Sequence, residues 1–469
     1  MLFHSRIARG ERHLRPTPTS RVPATQITTA FLTLVFALVL CLALMAPRVH
    51  ANEARVELKS ALGHAVMKKG ETTRAYLRVS LKGLRPDRGG ERAPGNIALV
   101  VDKSGSMQGE KIADARQAVR LALELMRAGD HVSVVAFNHD VHTFLPATPA
   151  SDLPDIDTLI DRISADGRTA LYAGVESGLD NVGDFLDPYS VNRVILISDG
   201  LANVGPTSPE AIARLARDAA QDGISITTIG LGLGYNEDLM TRLALTSDGN
   251  HAFAEHPDDL IDIFNNEFGE VFSVVAQGAS VDINFAEGIT PLRALGRPAK
   301  IKGQRVSFDL RQIYGGQEKY LLVEVEIDGQ AAEKTLKAAE ITARYTDMKT
   351  KHETRVTGQV EVGFSDDAAR IKASRDTDVL SAAALQIATE RSERAVKLRD
   401  SGQVKAAEKL LQDNADYLRK KAQSLAAPEL DALAEKQESD AQAMSGADWT
   451  RQRKLMRSRQ YKGKTQQGY

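Results

Sequence analysis

Val101-Asp102-Lys103-Ser104-Gly105-Ser106-Met107 follows an apolar run, Ile97 to Val101, and precedes a stretch in which Ile112, Ala115, Val119, Ala122 and Met126 recur at three- and four-residue spacing. A continuous apolar run reads as a strand buried on both faces, and the later spacing reads as a helix with one apolar face. The seven residues are therefore the turn from strand to helix. In an open α/β sheet such a turn lies at the carboxyl end of a strand, where ligands bind. Asp102, Ser104 and Ser106 occupy alternate positions and can aim three oxygens at one point, with Gly105 allowing the bend.

Working outward, His131 to Phe137, Val194 to Ile197 and Ile224 to Ile229 are further apolar runs separated by amphipathic stretches. This alternation predicts a doubly wound, mostly parallel α/β domain over residues 95–272. Two more oxygens fall at strand ends: Thr169 in Asp166-Gly167-Arg168-Thr169, and Asp199 in Ser198-Asp199-Gly200. If the strands are neighbours, all five side chains converge. Two carboxylates and three hydroxyls make a hard, all-oxygen shell that suits Mg²⁺ or Mn²⁺ and not zinc. Magnesium takes about six ligands, so such a shell leaves a position for an oxygen from outside.

In order and spacing, Asp102-x-Ser104-x-Ser106, Thr169 and Asp199 resemble the metal-ion-dependent adhesion site of von Willebrand factor type A domains. The resemblance implies that the serines and the threonine bind or approach the ion, that the aspartates hold its waters, and that a partner's Asp or Glu completes the shell. It thus implies a protein ligand and no catalytic residue. Ser198-Asp199-Gly200-Leu201-Ala202-Asn203-Val204-Gly205 further resembles bacterial secreted members, and the layout of β flanks and C-terminal helices is similar to inter-alpha-trypsin inhibitor heavy chains. Arg168 stands where many relatives have glycine; as a cation beside the loop it bears on metal affinity and, with Lys103, is a candidate for binding a partner carboxylate.

The flanks read as strands. Residues 52–94 alternate in short stretches such as Arg55-Val56-Glu57-Leu58, ending at a Pro/Gly-rich break, and residues 275–366 alternate again between turn pairs such as Gly315-Gly316. The first flank is too short to fold alone, so both are expected to pair into one β-sandwich-like domain with the α/β domain inserted. Residues 367–426 read as a helical hairpin with Gly402 at the turn. Residues 427–469, polar and basic without an apolar period, read as a flexible tail.

At the other end, residues 1–51 carry Arg6, Arg9, Arg12, Arg15 and Arg21 before an apolar run from Ala30 to Ala46. This predicts a signal peptide cleaved after Ala51, or an uncleaved membrane anchor, and in either case a periplasmic or extracellular location. The lone cysteine, Cys41, lies inside that run, so no disulfide is expected in the rest. The 469 residues are 42% hydrophobic and 26% charged, which excludes a mostly disordered chain, and the net charge of −2 gives no bulk attraction to nucleic acid. An enzyme reading of Ser104 or Ser106 lacks a histidine in a matching strand-end loop, and Gly230-Leu231-Gly232-Leu233-Gly234 lacks the lysine of a phosphate-binding loop. Two functions remain: a metal-dependent binding module, or an envelope assembly factor with a vestigial metal site that acts through its C-terminal helices.

Overall fold

The computed structural model describes residues 55–85 and 92–467; the expected leader lies outside them. The first flank supplies β1 (Val56–Leu62), β2 (Val66–Lys68) and β3 (Thr73–Gly83). The α/β domain follows in the order β4 (Gly95–Asp102), α1 (Glu110–Glu124), β5 (His131–Phe137), β6 (Val141–Pro149), α2 (Ile156–Asp161), α3 (Leu171–Gly183), β7 (Val191–Ser198), α4 (Pro209–Gln221), β8 (Ser225–Leu231), α5 (Glu237–Ser247), β9 (His251–Ala254) and α6 (Pro257–Val271). Its sheet runs β6-β5-β4-β7-β8-β9, and only β6 is antiparallel. The apolar runs meet their expected use: β4, β7 and β8 are buried along their whole lengths, with helices covering both faces. Helix α3 lies so close to the sheet that a Cβ on Gly178 would collide with Val100 Cγ2.

The order reverses at the centre. From β4 the chain passes to β5 on one side, and β7 then adds on the other side of β4. A crevice therefore opens between the carboxyl ends of β4 and β7, the topological switch point at which open α/β sheets bind ligands.

Beyond α6 come β10 (Val274–Phe285), β11 (Ile289–Leu295), β12 (Lys300–Lys302), β13 (Arg305–Tyr314), β14 (Glu318–Ile327), β15 (Thr335–Asp347) and β16 (Glu353–Ser365). They join the first flank in two sheets, β1-β3-β14-β11 and β12-β13-β10-β15-β16-β2. Strand β3 pairs with β14 from Thr73 opposite Ile327 to Lys82 opposite Glu318, so the two flanks share one sheet and the α/β domain is inserted between them. Leu77, Val79 and Val323 of one sheet and Val281, Phe308 and Ile341 of the other close a common core.

The C-terminal part departs from the sequence reading. Beyond α7 (Ala368–Ala373), α8 (Thr377–Asp400) and α9 (Val404–Leu425), the stretch read as a flexible tail forms α10 (Pro428–Ala443) and α11 (Trp449–Thr465). Helix α10 shares an apolar core with α8 and α9 through Leu430 and Ala434. Helix α11 buries Met456 in an apolar cluster with Val396, Leu411 and Met444 and otherwise docks by polar groups: Lys454 Nζ bonds Glu237 Oε2 at 2.7 Å and the Tyr235 carbonyl at 2.8 Å, Arg453 pairs with Glu237, Asp238 and Asp400, and the Tyr461 hydroxyl donates to the Gly249 carbonyl at 2.6 Å. A helix held by ion pairs to distant acidic residues has no apolar period to betray it, which is why the sequence read as a tail. Among the described residues no helix is long and apolar enough to cross a membrane.

Candidate metal centre

Asp102 ends β4 with no exposed surface, and its Oδ1 accepts the Ser104 amide at 2.8 Å, which winds the loop back over the strand end. Its Oδ2 accepts the Ser198 hydroxyl at 2.5 Å, tying β4 to the end of β7. The Ser104 and Ser106 hydroxyls lie 3.2 Å apart, and Ser106 donates to Asp199 Oδ1 at 2.8 Å. Thr169 arrives from the loop before α3. A Cβ on Gly200 would stand 3.1 Å from Asp102 Oδ2 and 3.2 Å from Thr169 Oγ1, so glycine there keeps open a space that both oxygens face. All five residues are thus brought to one crevice. Asp102, Ser104, Thr169 and Asp199 are buried, and Ser106 is exposed at its mouth.

The surroundings fix these positions. The amide of Thr169 donates to Asn203 Oδ1 at 2.9 Å, and the Thr169 carbonyl accepts the amides of Asn203 and Val204 at 3.0 and 3.2 Å. The Gly105 amide donates to the Gly167 carbonyl at 3.0 Å, and Asn138 Nδ2 donates to Asp166 Oδ1 at 2.6 Å. Three loops are therefore stitched together by groups that are not themselves candidate ligands. Burial pushes the Asp102 carboxyl up from its usual range, against the opposing pull of hydrogen bonds from Ser198 and Ser104. A bound cation would relieve that desolvation.

One participant escaped the sequence reading. Lys111, in the first turn of α1, pairs its ammonium with Asp199 Oδ2 and reaches the Ser106 carbonyl at 3.3 Å. A signal was present, because a cation in the first turn opposes the helix macrodipole and calls for a nearby anion. Ser198 and Asn203, adjacent to the motif, also position its residues and were passed over.

The two candidate partner-binding cations separate. Lys103 is buried, 7% exposed, with its ammonium 3.4 Å from Asp166 Oδ1, so it holds the loop and does not face a partner. The alternation that points Asp102 and Ser104 into the crevice turns the residue between them toward the neighbouring loop. Arg168 is exposed beside Thr169. Two large apolar side chains, Leu201 at 57% and Leu233 at 44% exposure, stand on the loops that follow Asp199 and β8. The second loop abuts the first, since a Cβ on Gly234 would come within 2.8 Å of the Asp199 carbonyl.

The donor set fits a divalent oxygen-seeking ion. Among the described residues no group of three or more His, Cys, Asp or Glu could hold a metal, so zinc-type coordination is not what the crevice offers. It offers two carboxylates and three hydroxyls about a space with no Cβ, the chemistry of a magnesium or manganese site.

The family model for the von Willebrand factor type A domain matches residues 96–266. Uncharacterized protein YfbK of Escherichia coli is 27% identical over 267 residues, covering 55% of this chain and 46% of that protein. Inter-alpha-trypsin inhibitor heavy chain H2 of Homo sapiens is 33% identical over 171 residues, covering 34% of this chain and 18% of that protein. The matched segment spans less than half of either relative. Among solved structures, a von Willebrand factor type A protein from Catenulispora acidiphila has a TM-score of 0.64 at 14% identity, covering 80% of this chain and 89% of the other. The ArnB paralog VWA2 from Sulfolobus acidocaldarius has a TM-score of 0.59 at 16% identity, covering 89% of this chain and all of the other. The likeness in fold thus extends past the α/β domain into the sandwich and helices. Fold, strand-end residues and sequence likeness agree that residues 96–266 form a von Willebrand factor type A domain.

Proposed function

We propose that the chain is a non-enzymatic, metal-dependent protein-binding module: Asp102, Ser104, Ser106, Thr169 and Asp199 hold Mg²⁺ or Mn²⁺, and an Asp or Glu of a protein partner completes the shell. Domains of this family typically mediate metal-dependent protein interactions. The observation that carries the reading is the convergence of Asp102 Oδ2 and Thr169 Oγ1 on the space at Gly200, with Ser106 bonded to Asp199 at its mouth. When bound, the ion would supply a positive centre that a partner carboxylate can ligate. The chain's own residues set what approaches it: Arg168 adds a cation for the same carboxylate, and Leu201 and Leu233 add apolar surface around it. The expected location remains periplasmic or extracellular, with membrane anchoring through residues 1–51 as the alternative.

The test is the melting temperature with Mg²⁺ and with EDTA, beside Asp102→Ala. An ion at a hundred times its dissociation constant adds about 2.7 kcal/mol. A Mg²⁺-dependent rise in the wild type, absent from Asp102→Ala, is the expected outcome; equal melting in Mg²⁺ and EDTA would remove the metal from the proposal.

Lys111 yields a further prediction. Its ammonium on Asp199 repels an arriving cation, so Lys111→Met should tighten Mg²⁺ about tenfold, roughly 1.4 kcal/mol after allowing for its partial exposure. Calorimetric titration decides the matter, because weaker binding would show that Lys111 instead holds Asp199 in place for the ion. The same ion pair supports a second reading, in which Lys111 neutralises a vestigial site and the chain acts through its C-terminal helices as an envelope assembly factor. Absence of any Mg²⁺ effect in both Lys111→Met and the wild type would favour it.

A further inference from the structure

At the amino ends of the same sheet, opposite the metal centre, a cleft of about 690 Å³ opens where the α/β domain meets the sandwich. Pro94, Asp130 and Tyr189 reach it just ahead of β4, β5 and β7, and the turn between β15 and β16 forms another wall. Its charge is one-sided. Among the described residues five cations line it, Arg55, Arg92, Arg127, Lys349 and Lys351, against one carboxylate.

That carboxylate is already committed. Asp130 is 1% exposed and accepts Arg92 through both oxygens, the Gly95 amide at 2.7 Å and the Arg127 amide at 2.7 Å. Arg92 is neutralised by this pairing and lies over the Phe272 ring. Among the described residues Arg55, Arg127, Lys349 and Lys351 have no acidic partner, and Lys351 has the Tyr189 ring 5.3 Å away. Four uncompensated cations from three separate segments therefore surround one cleft in a protein whose net charge is slightly negative. Like charges held together this way repel, and what offsets the repulsion is a counter-anion of matching charge.

We propose that this cleft binds a small ligand carrying two or more phosphate groups. Arginine forks and lysine ammonium groups both suit phosphoryl oxygens, and their spread around the cleft suits several phosphates and not a single carboxylate. The volume is that of a small-molecule site, and Tyr189 with Met348 gives the ligand's body an apolar wall. The phosphates could belong to a free polyphosphate or to an anionic phospholipid headgroup. The site lies at the other end of the strands from Asp102 and stands independently of the metal reading.

The test uses the full chain in EDTA, which silences the metal centre. Inorganic tripolyphosphate is titrated calorimetrically, and flotation is compared on phosphatidylcholine vesicles with and without cardiolipin, whose headgroup carries two phosphates. One tripolyphosphate per chain, weakened at least tenfold in Arg127→Gln/Lys351→Gln, is the expected result and assigns a free ligand. An increment in flotation due to cardiolipin, lost in the same variant, supports the cleft and assigns the lipid source. Lys349→Gln, on an exposed turn, reports the same loss should the double variant fail to fold. No binding of either probe, or binding that these substitutions leave unchanged, overturns the proposal.

Discussion

Glu267→Gln is expected to destabilise the protein by about 3–5 kcal/mol, the cost of leaving a buried charge without its partner. Arg193 of β7 and Glu267 of α6 are both fully buried and paired. Arg193 also donates to Gln312 Oε1 and the Tyr314 hydroxyl, each at 2.5 Å, while Glu267 accepts Thr227 at 2.5 Å and Asn250 at 2.8 Å. Gln312 and Tyr314 belong to β13, so this network fastens the α/β domain to the sandwich. The substitution removes the charge and keeps the volume, which makes the loss electrostatic and not a cavity effect. A fall of roughly 3–6 °C in melting temperature should accompany it. Replacing both partners, Arg193→Met with Glu267→Leu, should recover much of the loss, because apolar groups of similar size need no counter-charge. A loss below about 1 kcal/mol for Glu267→Gln would show that water reaches Arg193, and the network would then not be the fastening.

The same residues show what a sequence can and cannot disclose. Arg193 stands just ahead of the apolar run Val194 to Ile197, where a charge reads as a strand end, and only the fold shows it buried within β7. Which residue pairs with it was not visible, since Glu267 lies 74 positions away on a helix whose period gives no hint of register to β7. The α/β domain was legible because burial on both faces forces continuous apolar strands, and the metal centre was legible because its donors sit at strand ends that sheet order brings together. The insertion could be inferred from the shortness of the first flank. Lys111 and α11 were missed for one shared reason: each is placed by an ion pair to a distant carboxylate, and charge complementarity across the fold leaves no periodic trace in the chain. Lys103 was read as a candidate for a partner carboxylate for the converse reason, because nothing in the chain shows that its ammonium is already held by Asp166.

His251 should make the protein acid-labile over a defined range. It opens β9 with no exposed surface; its Nδ1 is 2.9 Å from the Thr228 hydroxyl, and among the described residues its Nε2 has no hydrogen-bond partner. Its ring lies 5.7 Å from Tyr461 of α11 and 6.1 Å from Tyr235, so it is enclosed between the sheet and the docked C-terminal helix. Burial lowers its pKa from 6.5 to about 3, helped by Lys462 and Lys454 nearby. The folded form thus holds the imidazole neutral where the unfolded chain would protonate it. Between those two values unfolding takes up a proton, so the contribution is complete above pH 6.5 and declines as pH falls toward 3. The slope is about 1.4 kcal/mol per pH unit, and over the window the loss reaches the order of 4–5 kcal/mol. In His251→Asn, which retains a polar group for Thr228, the proton uptake on unfolding at pH 5 should fall by nearly one. That number comes directly from the pH dependence of the denaturant midpoint in the two proteins. If the two slopes coincide, the imidazole is already protonated in the folded state and α11 does not seal it from water.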